Sequence, residues 1–184
     1  MSGRPLLAAL IALTAAIPAT EHAAHAAGWL GLEVHGAYGA APGIGGGGGI
    51  EVGHRRGSFG AALALRMDRP SEADGVSGSR ASVALLGCAW LRRLEACAGI
   101  EGGAFDAEGP GLADAHREHA AQLGEVLRLA TALEIAHHTD LVPWAMLAVP
   151  AIRVTIRDEV SHETYWQQPA VDFAAGLALR TVIR

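Results

Sequence analysis

Residues 59–68, FGAALALRMD, place Phe59, Ala61, Leu63, Leu65 and Met67 on one parity and Gly60, Ala62, Ala64, Arg66 and Asp68 on the other. Alanine and leucine favour helix by propensity, but a helix repeats every 3.6 residues and a strand every two. The spacing predicts a strand with one apolar face and a second face that ends in two charges. This alternation recurs along the chain, and its recurrence constrains the fold more than any other feature.

Seven further stretches repeat it. Leu30, Leu32, Val34 and Tyr38 oppose Glu33 and His35, and Ile50 and Val52 oppose Glu51. Ala81, Val83, Leu85 and Leu91 oppose Arg80, Ser82, Cys88 and Arg92, with Leu86 out of pattern. Leu94, Ala96, Ala98 and Ile100 oppose Glu95, Cys97, Gly99 and Glu101. Leu127, Leu129, Thr131, Leu133 and Ile135 oppose Gln122, Arg128 and Glu134. Trp144, Met146, Ile152, Val154 and Ile156 are set against Arg153, Thr155 and Arg157. The last stretch sets Val171, Phe173, Ala175, Leu177, Leu179, Thr181 and Ile183 against Asp172, Gly176, Arg180 and Arg184.

The joins between these stretches alternate in length. APGIGGGGG, RPSEADGVSG, DAEGPGLADAHREHA and DEVSHETYWQQP are long; HRRGS, LRRLE and HHTDLV are short. An antiparallel meander of eight strands would gather the long loops at one end and the short turns at the other. Residues 112–136 also fit a helical stripe through Leu123, Val126 or Leu127, Ala130 and Leu133, so a helix competes there. The strand reading keeps the alternation of loop lengths.

Which face lies inside follows from what opposes the apolar rows. A soluble sandwich hides its apolar face, whereas a membrane barrel turns it to lipid. Here the opposing rows are Gly, Ala and Ser interrupted by single charges, as suits the narrow lumen of eight strands. Glu33, Glu51, Arg66, Arg80, Glu101, Arg128, Glu134, Arg153, Asp172 and Arg180 are the expected lumen charges, five of each sign, which must pair. The nine aromatics avoid mid-strand positions. Trp29, Phe59, Trp90 and Trp144 fall toward the short turns, and Tyr38, Phe105, Tyr165, Trp166 and Phe173 toward the long loops, as two interfacial girdles would. Trp29 and Trp90 have the parity of the lumen. Most of the stretches run about ten residues, near the roughly 9–11 that a tilted strand needs to cross a bilayer.

The chain opens MSGRPLLAALIALTAAIPATEHAAHAA, with Arg4, an apolar run from Pro5 to Ile17, and small residues Ala24 and Ala26 flanking His25. That is the pattern of a cleaved secretory signal over residues 1–26, with 27–184 as one barrel domain. A retained anchor is the alternative. Fourteen basic against nineteen acidic residues, a net charge of −5 and no lysine argue against a nucleic-acid partner. Export makes Cys88 and Cys97 interpretable. In an oxidising compartment, and facing each other across a turn centred on Arg92 and Arg93, they are expected to form a disulfide. Two buried free thiols are the alternative.

With an export signal, eight such strands and alternating loops, the chain resembles small outer-membrane barrels of the OmpA/OmpX type. The resemblance covers nearly all of residues 28–184 and is carried by pattern rather than by a motif. It implies an all-β fold, an eight-stranded antiparallel up-and-down transmembrane β-barrel after a cleaved signal peptide. It further implies an outer-membrane location, lipid and the barrel-assembly machinery as partners, and a monomer. The sequence departs from that family at its end, where Ile183 and Arg184 stand in place of a terminal aromatic.

Other constellations give little chemistry. His116 and His119 in HREH, and His137 and His138 in HHTD, lack the further ligands that a structural zinc needs. GIGGGGG at 43–49 lacks the Lys-Ser/Thr of a phosphate loop and reads as an external loop. Ser161 and His162 are adjacent, so on a strand they would point apart, and no nucleophile–base pair stands out. The long loops are acidic and the short turns carry Arg55, Arg56, Arg92 and Arg93. The expected role is structural or surface-interacting, without enzyme activity, cofactor, metal or open channel. A soluble exported barrel in the periplasm that binds an apolar ligand and an outer-membrane lipid enzyme are the alternatives.

Overall fold

The computed structural model describes residues 26–39, 43–70, 77–108, 118–157 and 164–183. Within them lie β1 (Ala26–Tyr38), β2 (Ile44–Arg56), β3 (Phe59–Pro70), β4 (Ser77–Leu91) and β5 (Leu94–Glu108). There follow β6 (Glu118–Thr131), β7 (Leu133–Ala136), β8 (Thr139–Ile152), β9 (Thr155–Arg157), β10 (Thr164–Gln167) and β11 (Asp172–Ile183). Neighbours in sequence pair antiparallel from β1 to β6, β6 pairs with β8, β8 with β11, and β11 returns to β1. β7 prolongs β6 after Ala132, since Ala130 opposite Trp144 and Leu133 opposite Leu141 keep one register. Eight strands therefore close into an up-and-down barrel with no free edge. β9 and β10 form a separate two-stranded ribbon between β8 and β11.

Residues 118–131, where a helix competed, are strand, because both edges of the segment are paired, to β5 and to β8. Two-residue turns at 57–58, 92–93 and 137–138 gather at one end. Each holds a residue in the left-handed region: Gly57 at φ 65°, Arg92 at 59° and His138 at 65°. Gly57 takes that conformation freely; Arg92 and His138 carry its steric cost.

The faces are inverted relative to a soluble protein. Leu32, Val34, Met67, Leu85, Ile100, Leu129 and Leu179 point outward and are exposed, Met67 to 71%. Glu33, Glu51, Arg66, Arg80, Glu101, Arg128, Asp172 and Arg180 point inward and are buried. The reason is steric as well as chemical. At an eight-stranded circumference the interior admits few bulky side chains, so Ala62, Ala64, Ala84, Ala174 and Ala178 fill the spaces between the charged ones.

Several expectations are corrected. Ile44 to Gly49, expected in an external loop, belong to β2 and pair with β1 and β3, which shortens that connection to residues 39–43. β8 is turned the other way: Val142, Trp144, Met146 and Ala148 face inward, and Leu147 and Val149 outward. Arg153 is consequently exposed, beyond the register shift near Pro150. Glu134 is exposed too, because β7 projects past the barrel's short-turn rim, where all four of its residues are exposed. Trp29, Trp90, Trp144 and Phe105 line the interior rather than a girdle. For the three tryptophans inward parity wins over the interfacial preference of aromatic rings, because guanidinium groups inside offer them partners; Phe105 stacks on Trp166 instead. Tyr38, Phe59 and Phe173 lie on the outer face, and Trp166 is half-buried over the mouth. Residues 1–25, His116, Ser161, His162 and Arg184 lie outside the described residues, as do the side chains of His119 and Tyr165.

Candidate functional site

The lumen is the one place where chemistry is concentrated among the described residues, and three layers stack along it. At the short-turn end Cys88 and Cys97, opposite each other on β4 and β5, form a disulfide. Trp29 and Trp90 meet edge to face beside it, with ring centroids 5.7 Å apart. Arg55 covers Trp90 at 5.1 Å, and its Nε donates to the Gly57 carbonyl across the turn. Gly53 is what admits Trp29: a Cβ there would fall on the indole ring.

The middle layer is an ion-pair chain. Arg180 donates from NH1 to Glu95 Oε2 and from NH2 to Glu51 Oε1, both at 2.7 Å. Glu51 also accepts from Arg128 and from Trp29 Nε1, the latter at 2.7 Å. Arg66 Nε donates to Glu33 Oε1 at 2.5 Å, and Arg128 reaches the other Glu33 oxygen at 3.9 Å. Arg66 and Arg128 both lie over Trp144, at 5.0 and 5.1 Å from its ring centroid. The planar guanidinium suits this role, since it can stack on a ring and donate in its own plane at once. Buried charges so linked are tolerable; one left alone would cost several kcal/mol.

The outer layer is less evenly matched. Asp68 accepts from Arg80 Nε at 2.9 Å and contacts His35. Arg80 NH2 lies 3.1 Å from Glu101 Oε1. Asp172 takes the Gln168 amide at 2.7 Å, and Gln168 Oε1 accepts from the Val154 N–H at 3.2 Å. This ties the segment that carries β9 and β10 to the barrel wall. Above it Phe105 and Trp166 stack with centroids 5.8 Å apart, beside Val154.

Among the described residues, six buried carboxylates (Glu33, Glu51, Asp68, Glu95, Glu101, Asp172) face four buried arginines and His35. His35, Asp68 and Glu95 were not in the expected lumen set, although each has the parity of a neighbour that was. His137 and His138 stand side by side in a turn, with ring centroids 3.8 Å apart and no third ligand type grouped with them. The cluster with metal-ligand spacing, Cys88, Glu95 and Cys97, has both sulfurs committed to the disulfide. As for membrane-crossing helices, no helix among the described residues is long and apolar enough to be one.

The architecture is similar to that of solved outer-membrane barrels. A major outer membrane protein of Thermus thermophilus is 14% identical with a TM-score of 0.58, over 86% of this chain and 100% of that one. Neisserial surface protein A is 9% identical with a TM-score of 0.55, over 85% and 96%. Ail, the attachment invasion locus protein of Yersinia pestis, is 8% identical with a TM-score of 0.50, over 87% and 99%. At such identities the likeness is one of fold. No family model matches the chain, and no curated protein matches it in sequence.

Proposed function

With the closed eight-stranded fold of small outer-membrane proteins as the premise, we propose that this chain resides in a Gram-negative-type outer membrane as a plugged barrel. Its role there is to present the loops at the end opposite the two-residue turns outside the cell, in a structural or surface-interaction capacity. One observation carries the reading: the apolar belt outside the barrel is continuous around a lumen filled with ion pairs. Soluble monomers rarely expose a contiguous apolar patch beyond about 300–600 Å². Lipid is the solvent in which this belt costs nothing.

The occupied lumen favours a surface role over conduction. Arg66, Arg128, Arg180 and Trp144 cross the axis where a pore would have to pass. The interior that a soluble ligand binder would need is taken by the same side chains. The closed sheet, with no open strand edge, agrees with a monomer. Among the similar folds, Ail is an attachment invasion locus protein, which agrees with work done by loops. No catalytic step or cofactor is part of this reading.

Envelope fractionation tests it, read together with gel mobility before and after boiling. The protein should sediment with outer membranes and shift in mobility on heating. In planar bilayers it should give no steady single-channel conductance. Recovery as a soluble periplasmic protein whose mobility ignores boiling would reject the proposal.

A further inference from the structure

The outer lumen carries more negative than positive charge, and its carboxylates border a small cavity. We propose that this cavity binds one hard divalent cation, calcium by preference, through Glu101 and Asp172, with Ser82 and Gln122 as neutral donors. The inference goes beyond the surface role above and does not depend on it.

The cavity measures about 20 Å³, enough for one ion or water, and lies among Arg80, Ser82, Glu101, Gln122, Gln168 and Asp172. Gly102, Gly103 and Gly124 also line it, and at Gly103 a Cβ would collide with the Ala81 carbonyl oxygen, so no side chain fits there. Three oxygens of residues that line the cavity, Glu101 Oε2, Asp172 Oδ1 and Ser82 Oγ, are buried without a hydrogen-bond partner among the described residues. Glu101 and Asp172 are only 6% and 5% exposed, so bulk water does not solvate them freely. Gln122 Nε2 is likewise buried and unpartnered, and turning the amide over would present its oxygen instead.

Charge argues in the same direction. Asp68, Glu101 and Asp172 all act on the single guanidinium of Arg80. That group is committed to Asp68 at 2.9 Å and to one oxygen of Glu101 at 3.1 Å. His35 contacts Asp68 and so leaves Glu101 and Asp172 as they are. Among the described residues at least one negative charge remains uncompensated, which a buried site does not sustain without a cation or a proton. An all-oxygen, irregular donor set suits calcium, which accepts flexible coordination. Magnesium demands near-octahedral geometry and sheds its water reluctantly.

Calorimetric titration of the protein in mild detergent tests this. Calcium should bind with one equivalent per barrel and a Kd of about 10⁻⁴–10⁻³ M, as expected for a site with two carboxylates. Magnesium should bind more weakly. Asp172→Asn and Glu101→Gln, both close to isosteric, should each weaken calcium by about tenfold or more. Retained heat-shifted mobility on gels would show those variants to be folded. Ser82→Ala, which leaves every ion pair in place, serves if either fails to fold, and should weaken calcium measurably. Absence of saturable binding up to about 10 mM would overturn the proposal, because the excess charge would then be met by a proton. So would undiminished binding in folded Asp172→Asn, which would assign the ion to the loop carboxylates.

Discussion

At the scale of single residues, Glu51 bears the most on stability. It alone accepts from Arg128, Arg180 and Trp29, and it is 1% exposed. Its removal leaves Arg128 only the 3.9 Å contact to Glu33 and takes from Arg180 one of its two carboxylates, in a space closed to water. Breaking a buried pair from one side costs about 3–5 kcal/mol, much of it the penalty on the partner left behind. Glu51→Gln should therefore lower the unfolding free energy by about that amount, read by urea titration with tryptophan fluorescence in detergent. Combined with Arg128→Met it should cost clearly less than the sum of the two single changes, since Arg180 then keeps Glu95 and Glu33 keeps Arg66. Glu125 is the converse case. It is half-buried on the outer face of β6, between Leu123 and Leu127 and opposite Ile100 and Val149. A carboxylate there meets lipid tails, so Glu125→Leu should stabilise the barrel in bilayers by about 1 kcal/mol. The gain should shrink in detergents that let water reach the belt.

At the scale of elements, the β4–β5 hairpin combines a costly turn with a covalent clamp. Arg92 sits at φ 59°, where an L side chain crowds its own carbonyl, at a cost of roughly 1–2 kcal/mol. Arg92→Gly should recover about 1 kcal/mol of that, less the entropy glycine gives to the unfolded chain. Four residues on either side, the Cys88–Cys97 bond closes a short loop and contributes about 2–3 kcal/mol. Reduction, or Cys88→Ser with Cys97→Ser, should lower the urea midpoint by the corresponding amount without changing the barrel's heat-shifted mobility. Elements also mark where parity could be read from sequence. β3 and β11 were legible because one row is bulky and apolar while the other is small or charged. β8 was not: in LVPWAMLAV both rows are apolar, and only the arginines stacked on Trp144 decide which row is inside. Arg153 and Glu134 were misplaced by carrying a correct period too far. For Arg153 that meant through a register shift, and for Glu134 past the rim of the sheet. The pairing of particular ions was beyond sequence, since Glu51 and Arg180 meet only once β11 has closed on β1.

At the scale of the whole molecule, the belt can be tested apart from any single element. Val83, Leu65, Ile50, Leu32, Leu179 and Leu141 are successive cross-strand neighbours on β4, β3, β2, β1, β11 and β8. They form a hoop around most of the barrel, and Leu32 within it is 62% exposed. The environment outside that hoop fixes the sign of a substitution. In water, Leu32→Arg replaces an exposed apolar side chain by a solvated one and changes stability by no more than about 0.5 kcal/mol. In a bilayer the same change sets a guanidinium among acyl chains and costs about 2–4 kcal/mol near the midplane. The variant should therefore refold into lipid vesicles with that penalty in reversible urea titrations. Moving the arginine along β1 to Tyr38, at the long-loop end, should reduce the penalty to about 0–1 kcal/mol. A depth profile of this kind is peculiar to a hydrocarbon slab. A cost that stayed flat along β1, or vanished at Leu32, would mean that water and not lipid surrounds the hoop.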